Sequence, residues 1–139
     1  MIGYIVLGSL VALSVTIGIK AYSSTHYKLE IEREEHDKYL RLFKFMGNWM
    51  VAEERGQSII SSITKLDGEI CIFGDNPISA VLRSKLDKAS VEYKFVTEMG
   101  NCTESEVVIV TDISQYELIQ GKLNDLGVKS ISVEDLFYR

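Results

Sequence analysis

An unbroken run of apolar and uncharged residues fills the start of the chain. Residues Met1 to Ile19 carry no charged side chain, and glycine and hydroxyl residues are the only breaks. As a helix rising about 1.5 Å per residue, this segment spans roughly 28 Å, close to the ~30 Å hydrocarbon core of a bilayer. A cleaved signal peptide would begin with basic residues and end at a small-residue cleavage site, and this run has neither. The pattern predicts an uncleaved, single-pass transmembrane helix over 1–19.

The next two segments have different helical patterns. Residues 20–38 are rich in charge and predict a solvated juxtamembrane helix. A stripe with spacings of three and four residues follows, which predicts a helix with one buried face: Tyr39, Leu42, Phe43, Met46, Trp49 and Met50. We expect this stripe to pack on the domain's own sheet, and the alternative is a face that binds a partner or the membrane surface. After Gly56, three isoleucines between 59 and 63 indicate another short helix.

Strand and helix patterns alternate in the rest of the chain. Apolar or alternating runs predict strands over 69–73, 91–96, 107–111 and 130–133, and helical spacing predicts helices over 78–88, 114–126 and 134–138. This alternation predicts an α/β domain over 39–139, a parallel sheet in the order 2-1-3-4 with helices packed on it. Only nine residues separate Val96 from Glu106, too few for an ordinary crossover helix, so we expect a loop in this shortened fold.

Capping signals mark the ends of two of these helices. Asn76 followed by Pro77 is typical of a helix start, with asparagine as N-cap and proline as first helical residue. Ser114 and Glu117 have the spacing of a capping box, and Gly127 suits the position after a helix end.

Charge is confined to the part of the chain after the apolar run. Lysine and arginine are absent from the N-terminal flank and present on the C-terminal flank, from Lys20 onward, so the positive-inside rule predicts a cytoplasmic domain. The formal net charge of −5 disfavours nucleic acid as a partner, because phosphate binding needs a basic face. The two cysteines, Cys71 and Cys102, fit a reduced cytosolic domain.

The loop after the first strand is the place where an open α/β sheet binds ligands. Its residues, Gly74 to Ser79, align with the G-x-G-x-x-G fingerprint of dinucleotide-binding proteins, but only Gly74 matches. Asn76 replaces the glycine that lets pyrophosphate approach the backbone, and Ser79 replaces the glycine at the helix–sheet contact. Pro77 also removes one N–H donor from the first helical turn. We therefore expect no dinucleotide cofactor.

A set of short motifs in order resembles a known family over about 100 residues. The motifs are Trp49, the segments 56–59 (GQSI), 70–74 (ICIFG) and 108–111 (VIVT), and the closing segment 131–136 (ISVEDL). They resemble small Rossmann-like domains found beside glycosyltransferases and in cell-surface polysaccharide loci of Gram-positive bacteria. The resemblance implies a nucleotide-type site at Gly74, Asp75, Asn76 and Ser79. The family has an acid at the end of the second strand, where this chain has Thr97 followed by Glu98.

The other candidate side chains fit structural roles, such as capping or solvation, better than metal binding or acid–base chemistry. His26, Glu30 and Glu34 share a helix face, but a charge run is usually solvated, and we expect no metal there. Asp75 and Asp112 are expected to begin helices as capping or turn residues rather than act as acids or bases. Small residues four apart in the membrane helix, Gly8 with Ala12 and Ser14 with Gly18, allow self-association or contact with a membrane partner.

Together these patterns predict a membrane-anchored accessory protein without enzymatic activity. Its degenerate Rossmann-like domain would work with cell-envelope polysaccharide or glycosyltransferase machinery. The alternatives are an enzyme that binds a nucleotide or sugar nucleotide, and a membrane-protein scaffold with no ligand.

Overall fold

Short runs of β-branched and aromatic residues form four parallel strands. A computed structural model of the chain describes every residue from Met1 to Arg139. The strands are β1 (Glu69–Phe73), β2 (Lys94–Val96), β3 (Glu106–Val110) and β4 (Lys129–Ser132). They form one sheet in the order β2-β1-β3-β4, which confirms the predicted topology. In the register, Phe73 lies beside Val96 on one side and Val110 on the other, so the carboxyl ends of three strands are level.

Five helices and one 3-10 turn accompany the sheet. They are α1 (Ile2–Glu54), α2 (Ile60–Ile63), α3 (Pro77–Lys88), α4 (Tyr116–Asp125) and α5 (Val133–Phe137), with the 3-10 turn at Met99–Asn101. The chain divides into two units, Met1–Arg41 and Leu42–Arg139. The predicted spanning segment 1–19 and the charged segment 20–38 both lie in α1, which is one continuous helix. We describe the two units separately.

The first unit is helical and exposed along its whole length. Its most apolar 18-residue window has a mean hydropathy of 2.2, and by length and composition this helix can cross a membrane. An N-terminal signal sequence would meet the same two criteria.

The second unit packs helices on both faces of the sheet. On one face, α2, α3, α5 and the C-terminal part of α1 (residues 42–54) enclose a core around Ile72 and Ile109. On the other face, α4 and the 3-10 turn cover Cys71, Val108 and their neighbours. Each fully buried leucine or isoleucine in these cores contributes roughly 1.5–3 kcal/mol through removal of apolar surface from water.

An aromatic cluster joins the C-terminal part of α1 to the end of the chain. The ring of Phe45 lies 5.5 Å from the ring of Trp49 and 5.5 Å from that of Phe137, centroid to centroid. Asn48 donates a hydrogen bond of 2.8 Å to the Tyr138 hydroxyl. These contacts fix one face of the helix on the domain.

The buried face of α1 differs from the predicted stripe. Trp49 is buried as expected, and Leu42 is partly buried, but the other buried residues of α1 are Phe45 and Ala52. The four remaining stripe residues are exposed: Tyr39 (71%), Phe43 (76%), Met46 (44%) and Met50 (70%). The prediction was wrong for these because α1 carries two adjacent apolar faces in this region. Only the face of Phe45, Trp49 and Ala52 meets the core.

An ion pair between Lys94, whose side chain is 45% exposed, and the buried Glu106 holds the short connection from β2 to β3. This connection is a loop, as predicted, with one 3-10 turn. Glu106 is 3% exposed, and its carboxylate accepts hydrogen bonds from Lys94 Nζ at 2.9 Å and from Thr103 N at 3.0 Å. Lys94 Nζ also donates to the Asn101 carbonyl at 2.6 Å. Burial raises the pKa of Glu106, but the hydrogen bonds and the charge of Lys94 outweigh it, and the net pKa lies below its usual value.

Two predicted helix boundaries are confirmed at their caps. Asn76 is the N-cap of α3 with Pro77 in the first turn. Gly127 has φ of +72° and follows α4, where the N–H of Val128 bonds the carbonyl of Leu123. This is the pairing of a Schellman motif, in which glycine relieves strain in the left-handed region.

Two other boundaries were wrong. Ser114 does not cap α4, which begins at Tyr116; its hydroxyl donates instead to the Asp112 carboxylate at 2.8 Å. β2 begins at Lys94 rather than at residue 91, because Val91 takes part in ending α3. Its N–H bonds the Leu86 carbonyl, and Ser90 has φ of +55°.

Trp49→Ala should lower the free energy of unfolding by ~3–5 kcal/mol, because it removes a large buried ring and leaves a cavity. Chemical denaturation of the full chain in detergent, followed by circular dichroism, measures this loss. Leu118→Ala is the matched control, since Leu118 lies on α4 but is 59% exposed, and we expect a change within about 0.5 kcal/mol. Equal stability of the wild type and the Trp49 variant would contradict the packing described here.

Candidate functional site

The loop from Gly74 to Ser79 lies at the carboxyl edge of the sheet, where the strand order reverses between β1 and β3. The N–H of Gly74 bonds the carbonyl of Val96 at 3.2 Å, and the N–H of Thr111 bonds the carbonyl of Phe73 at 3.1 Å. These two bonds extend the ladder past the ends of β1 and β3. The loop thus occupies the crevice in which open α/β sheets bind ligands.

Gly74 is required by a close approach inside the protein. Its φ is +111°, a conformation that favours glycine, and a Cβ built there would lie 2.7 Å from Thr111 Oγ1. In a dinucleotide-binding loop, bare backbone serves the approach of pyrophosphate. Here the space beside Gly74 is taken by the Thr111 hydroxyl.

Asn76 and Ser79 satisfy each other at the start of α3. Asn76 Oδ1 accepts from the N–H of Ser79 at 3.0 Å, and Ser79 Oγ accepts from the N–H of Asn76 at 3.3 Å. The Ser79 hydroxyl also donates to the Asn76 carbonyl at 2.9 Å and is fully buried. This reciprocal capping box occupies two N–H groups that an anion at the helix start would otherwise bind.

Thr111 ties this loop to the sheet. Asn76 Nδ2 donates to Thr111 Oγ1 at 3.0 Å, and Thr111 Oγ1 donates to the Phe73 carbonyl at 2.9 Å. The sequence signal for this residue was a single polar side chain at the end of the apolar run 107–111, but its partner lies 35 residues away. Sequence reasoning therefore found the loop and missed the residue that fills it.

The two acidic candidates are exposed at this edge. Asp75 follows Gly74 in the loop, and Glu98 lies two residues beyond the end of β2. Glu98 is the N-cap residue of the 3-10 turn but makes no side-chain capping bond; its carbonyl accepts from the N–H of Asn101 at 3.2 Å. Of the predicted site residues, Gly74, Asn76 and Ser79 are thus brought together through Thr111, whereas Asp75 and Glu98 face solvent.

The nearest basic side chain along α3 is engaged elsewhere. The guanidinium carbon of Arg83 lies 3.9 Å from the centroid of the Phe95 ring, and its Nε donates to the Ser79 carbonyl at 3.4 Å. Asp112, which follows Thr111, accepts a bond from the N–H of Gln115 at 3.2 Å and so has the predicted turn role.

The two cysteines do not have the character of nucleophiles. Burial, together with the nearby Cys102 and Glu106, raises the pKa of the Cys71 thiol to about 12. Burial also raises the pKa of Cys102. Because the thiolate is the reactive form, neither side chain is activated as a nucleophile at neutral pH.

A second concave feature lies between the last turns of α1 and the first turns of α3. It is an open, mostly apolar groove of about 590 Å³, lined chiefly by Met46, Trp49, Met50, Pro77, Ile78 and Val81. Its size falls in the range of binding sites in proteins.

An ion pair crosses one end of this groove. Lys85 Nζ lies 2.6 Å from Glu53 Oε2, and Trp49 Nε1 donates to Glu53 Oε1 at 3.0 Å. Burial raises the pKa of Glu53, but the hydrogen bonds from Lys85 and Trp49 outweigh this effect and hold its net pKa below the usual value. The charges of Glu53 and Lys85 are therefore paired within the chain.

Comparison with known proteins finds no match to any protein-family model, to any curated protein or to any solved structure.

Gly74→Ala should destabilise the chain by about 1–3 kcal/mol, through strain at positive φ and the clash with Thr111 Oγ1. In a Thr111→Ala background the clash is absent and only the backbone strain remains, so the same substitution should cost less. Denaturation of the four chains of this double-mutant cycle should give a coupling energy above about 0.5 kcal/mol. Additive losses would mean that Thr111 does not define the space beside Gly74.

Proposed function

We propose that the chain is a membrane-anchored accessory protein without enzymatic activity, in which the ligand loop of a Rossmann-like domain has become structural. The observation that carries this proposal is the closed set of hydrogen bonds among Asn76, Ser79 and Thr111. In a nucleotide-binding loop the corresponding groups are directed at phosphate. Here they bond one another.

The local chemistry supports the same proposal. A dinucleotide site needs backbone N–H donors at the helix start, and Pro77 has none to offer. The cation nearest along α3, Arg83, stacks on Phe95. The runner-up, an enzyme that binds a nucleotide or sugar nucleotide, would need a ligand to displace the Asn76 side chain and leave Thr111 without that donor.

The anchor in this proposal is the apolar N-terminal part of α1, which has the length and hydropathy of a spanning helix. In this proposal the domain lies in the cytoplasm, because the positive-inside rule favours that side for the flank that carries Lys20 and Lys28. A cytoplasmic domain held at the membrane is suited to binding a membrane enzyme or its regulator.

The partner class in this proposal follows from the family resemblance of residues 39–139. Similar small domains occur beside glycosyltransferases and polysaccharide biosynthesis proteins, so we propose a membrane-bound component of that machinery as the partner. The apolar groove between α1 and α3 provides a surface for protein contact, whereas the loop at Gly74 is closed by its own side chains.

The full chain in detergent should bind NAD, NADP or FAD no more tightly than ~1 mM, or about −4 kcal/mol. Isothermal titration calorimetry measures this directly. Saturable binding in the micromolar range, weakened by Glu98→Ala but not by Glu92→Ala, would contradict the proposal and favour the enzyme. Glu92 is a suitable control because it is also exposed and precedes β2, at the opposite end from Glu98.

A membrane-impermeant thiol reagent applied to intact cells should not label a cysteine in the cytoplasmic domain. Cys102 is partly buried, so Lys122→Cys, on the exposed side of α4, is the better reporter. We expect labelling of this variant only after permeabilisation. Labelling of the variant in intact cells would place the domain outside the cell.

A further inference from the structure

We propose that Cys71 and Cys102, the only two cysteines of the chain, form a reversible disulfide within one folded copy when the protein meets a peroxide. Both are free thiols in the structure described here. The disulfide would join the inner strand β1 to the connection between β2 and β3. The inference concerns the second unit alone, so it does not depend on the membrane anchor or on the proposed function.

The first argument is the face of the sheet on which Cys71 lies. Cys71 is fully buried in the middle of β1, and its register partners are Lys94 on β2 and Val108 on β3. Residues paired in register point to the same face of a sheet, and Glu106, two residues before Val108, points to that face as well. The 3-10 turn lies on this face, and Cys102, directly after the turn, packs against the buried cluster that contains Cys71.

The second argument is the fixed backbone on both sides of Cys102. The carbonyl of Asn101 accepts a hydrogen bond from Lys94 Nζ at 2.6 Å. The N–H of Thr103 donates to Glu106 Oε2 at 3.0 Å. Because the ion pair of Lys94 and Glu106 lies on the covered face of the sheet, these two bonds hold Cys102 over that face.

The third argument is the contact between the two thiols. Burial raises the pKa of both Cys71 and Cys102, and a side-chain interaction between the two thiols alters each pKa further. Two cysteines can be bridged without backbone movement only when their side chains already approach each other. The packing of Cys102 on the cluster around Cys71 meets this condition.

The reaction has two steps and consumes one hydrogen peroxide. The sulfur of Cys102, the partly exposed thiol, attacks one peroxide oxygen. The O–O bond breaks, the thiol proton leaves with the other oxygen as water, and Cys102 becomes a sulfenic acid. The sulfur of Cys71 then attacks the Cys102 sulfur. The S–S bond forms, the S–O bond breaks, and the Cys71 proton leaves with that oxygen as a second water.

Proximity, and not thiol reactivity, selects the disulfide as the product. Neither thiol is activated, so the first step is slow. Once Cys102 is a sulfenic acid, the thiol of Cys71 is its immediate neighbour, and a group held in contact reacts at a high effective concentration. A second peroxide or a second copy must instead reach Cys102 by diffusion.

Oxidation of the full chain in detergent with hydrogen peroxide tests this inference. After removal of the peroxide, denaturation and alkylation, the intact mass should be lower by two hydrogen atoms with neither cysteine alkylated. Treatment with dithiothreitol should restore two alkylated cysteines. The matched control is Thr103→Cys in a Cys102→Ser background, which moves the second thiol to the next residue, an exposed one. This control should form less disulfide by a factor of about five or more, because the thiols no longer meet.

Chemical denaturation of the oxidised and reduced chains is the second measurement. We expect a higher denaturant midpoint for the oxidised wild type, because the cross-link restricts the unfolded chain, and no change on peroxide treatment of Cys102→Ser. Four outcomes would each overturn the inference. They are sulfinic acid at Cys102 with Cys71 still a thiol, a disulfide only between copies, a lower midpoint after oxidation, and equal disulfide in the Thr103→Cys control.

Discussion

The burial of Phe45 and Trp49 is the contact on which the second unit depends. These two rings, with Phe137 and Tyr138, hold the last turns of α1 against the C-terminal segment. The same contact fixes the rotation of the helix about its axis. Once that rotation is set, Trp49 Nε1 meets Glu53, Glu53 meets Lys85 of α3, and Phe43, Met46 and Met50 are left facing away from the core. The groove and the exposed face of Phe43, Met46 and Met50 thus both follow from the way in which Phe45 and Trp49 pack.

The polar groups at the carboxyl edge of the sheet are bonded to one another. The position of the loop, the turn at Gly74 and the start of α3 all follow the arrangement of nucleotide-binding domains. The difference comes from two side chains. Asn76 caps the helix, and Thr111 fills the space beside Gly74, so the polar groups of the crevice bond one another. Placing an anion there would require breaking buried hydrogen bonds, each of which leaves a desolvated group that costs about 1–3 kcal/mol.

Much of the fold followed from local sequence signals, and the errors have physical reasons. Strand order, the short crossover and the caps at Asn76 and Gly127 depend on chain direction, length and near neighbours, which a sequence displays directly. The sequence does not display the buried face of α1 in the same way. The periodicity at Phe43 and Met46 gives the angle between side chains but not the direction of the core. The role of Thr111 was also missed, since its bond to Asn76 joins residues 35 positions apart.

The C-terminal part of α1 has two apolar faces, and one of them is exposed. An exposed face of one phenylalanine and two methionines invites non-specific association, and natural surfaces usually interrupt such patches with charge. In α1 the nearest acids are Glu53, which is paired with Lys85, and Glu54, which is exposed and also lines the groove. A polar residue at Met46 or Met50 would leave the contacts of Phe45 and Trp49 unchanged, so core packing does not require the exposed apolar face. The exposed apolar face of α1 is therefore a feature of the surface of the second unit, continuous with the groove beside α3, and not a by-product of the core.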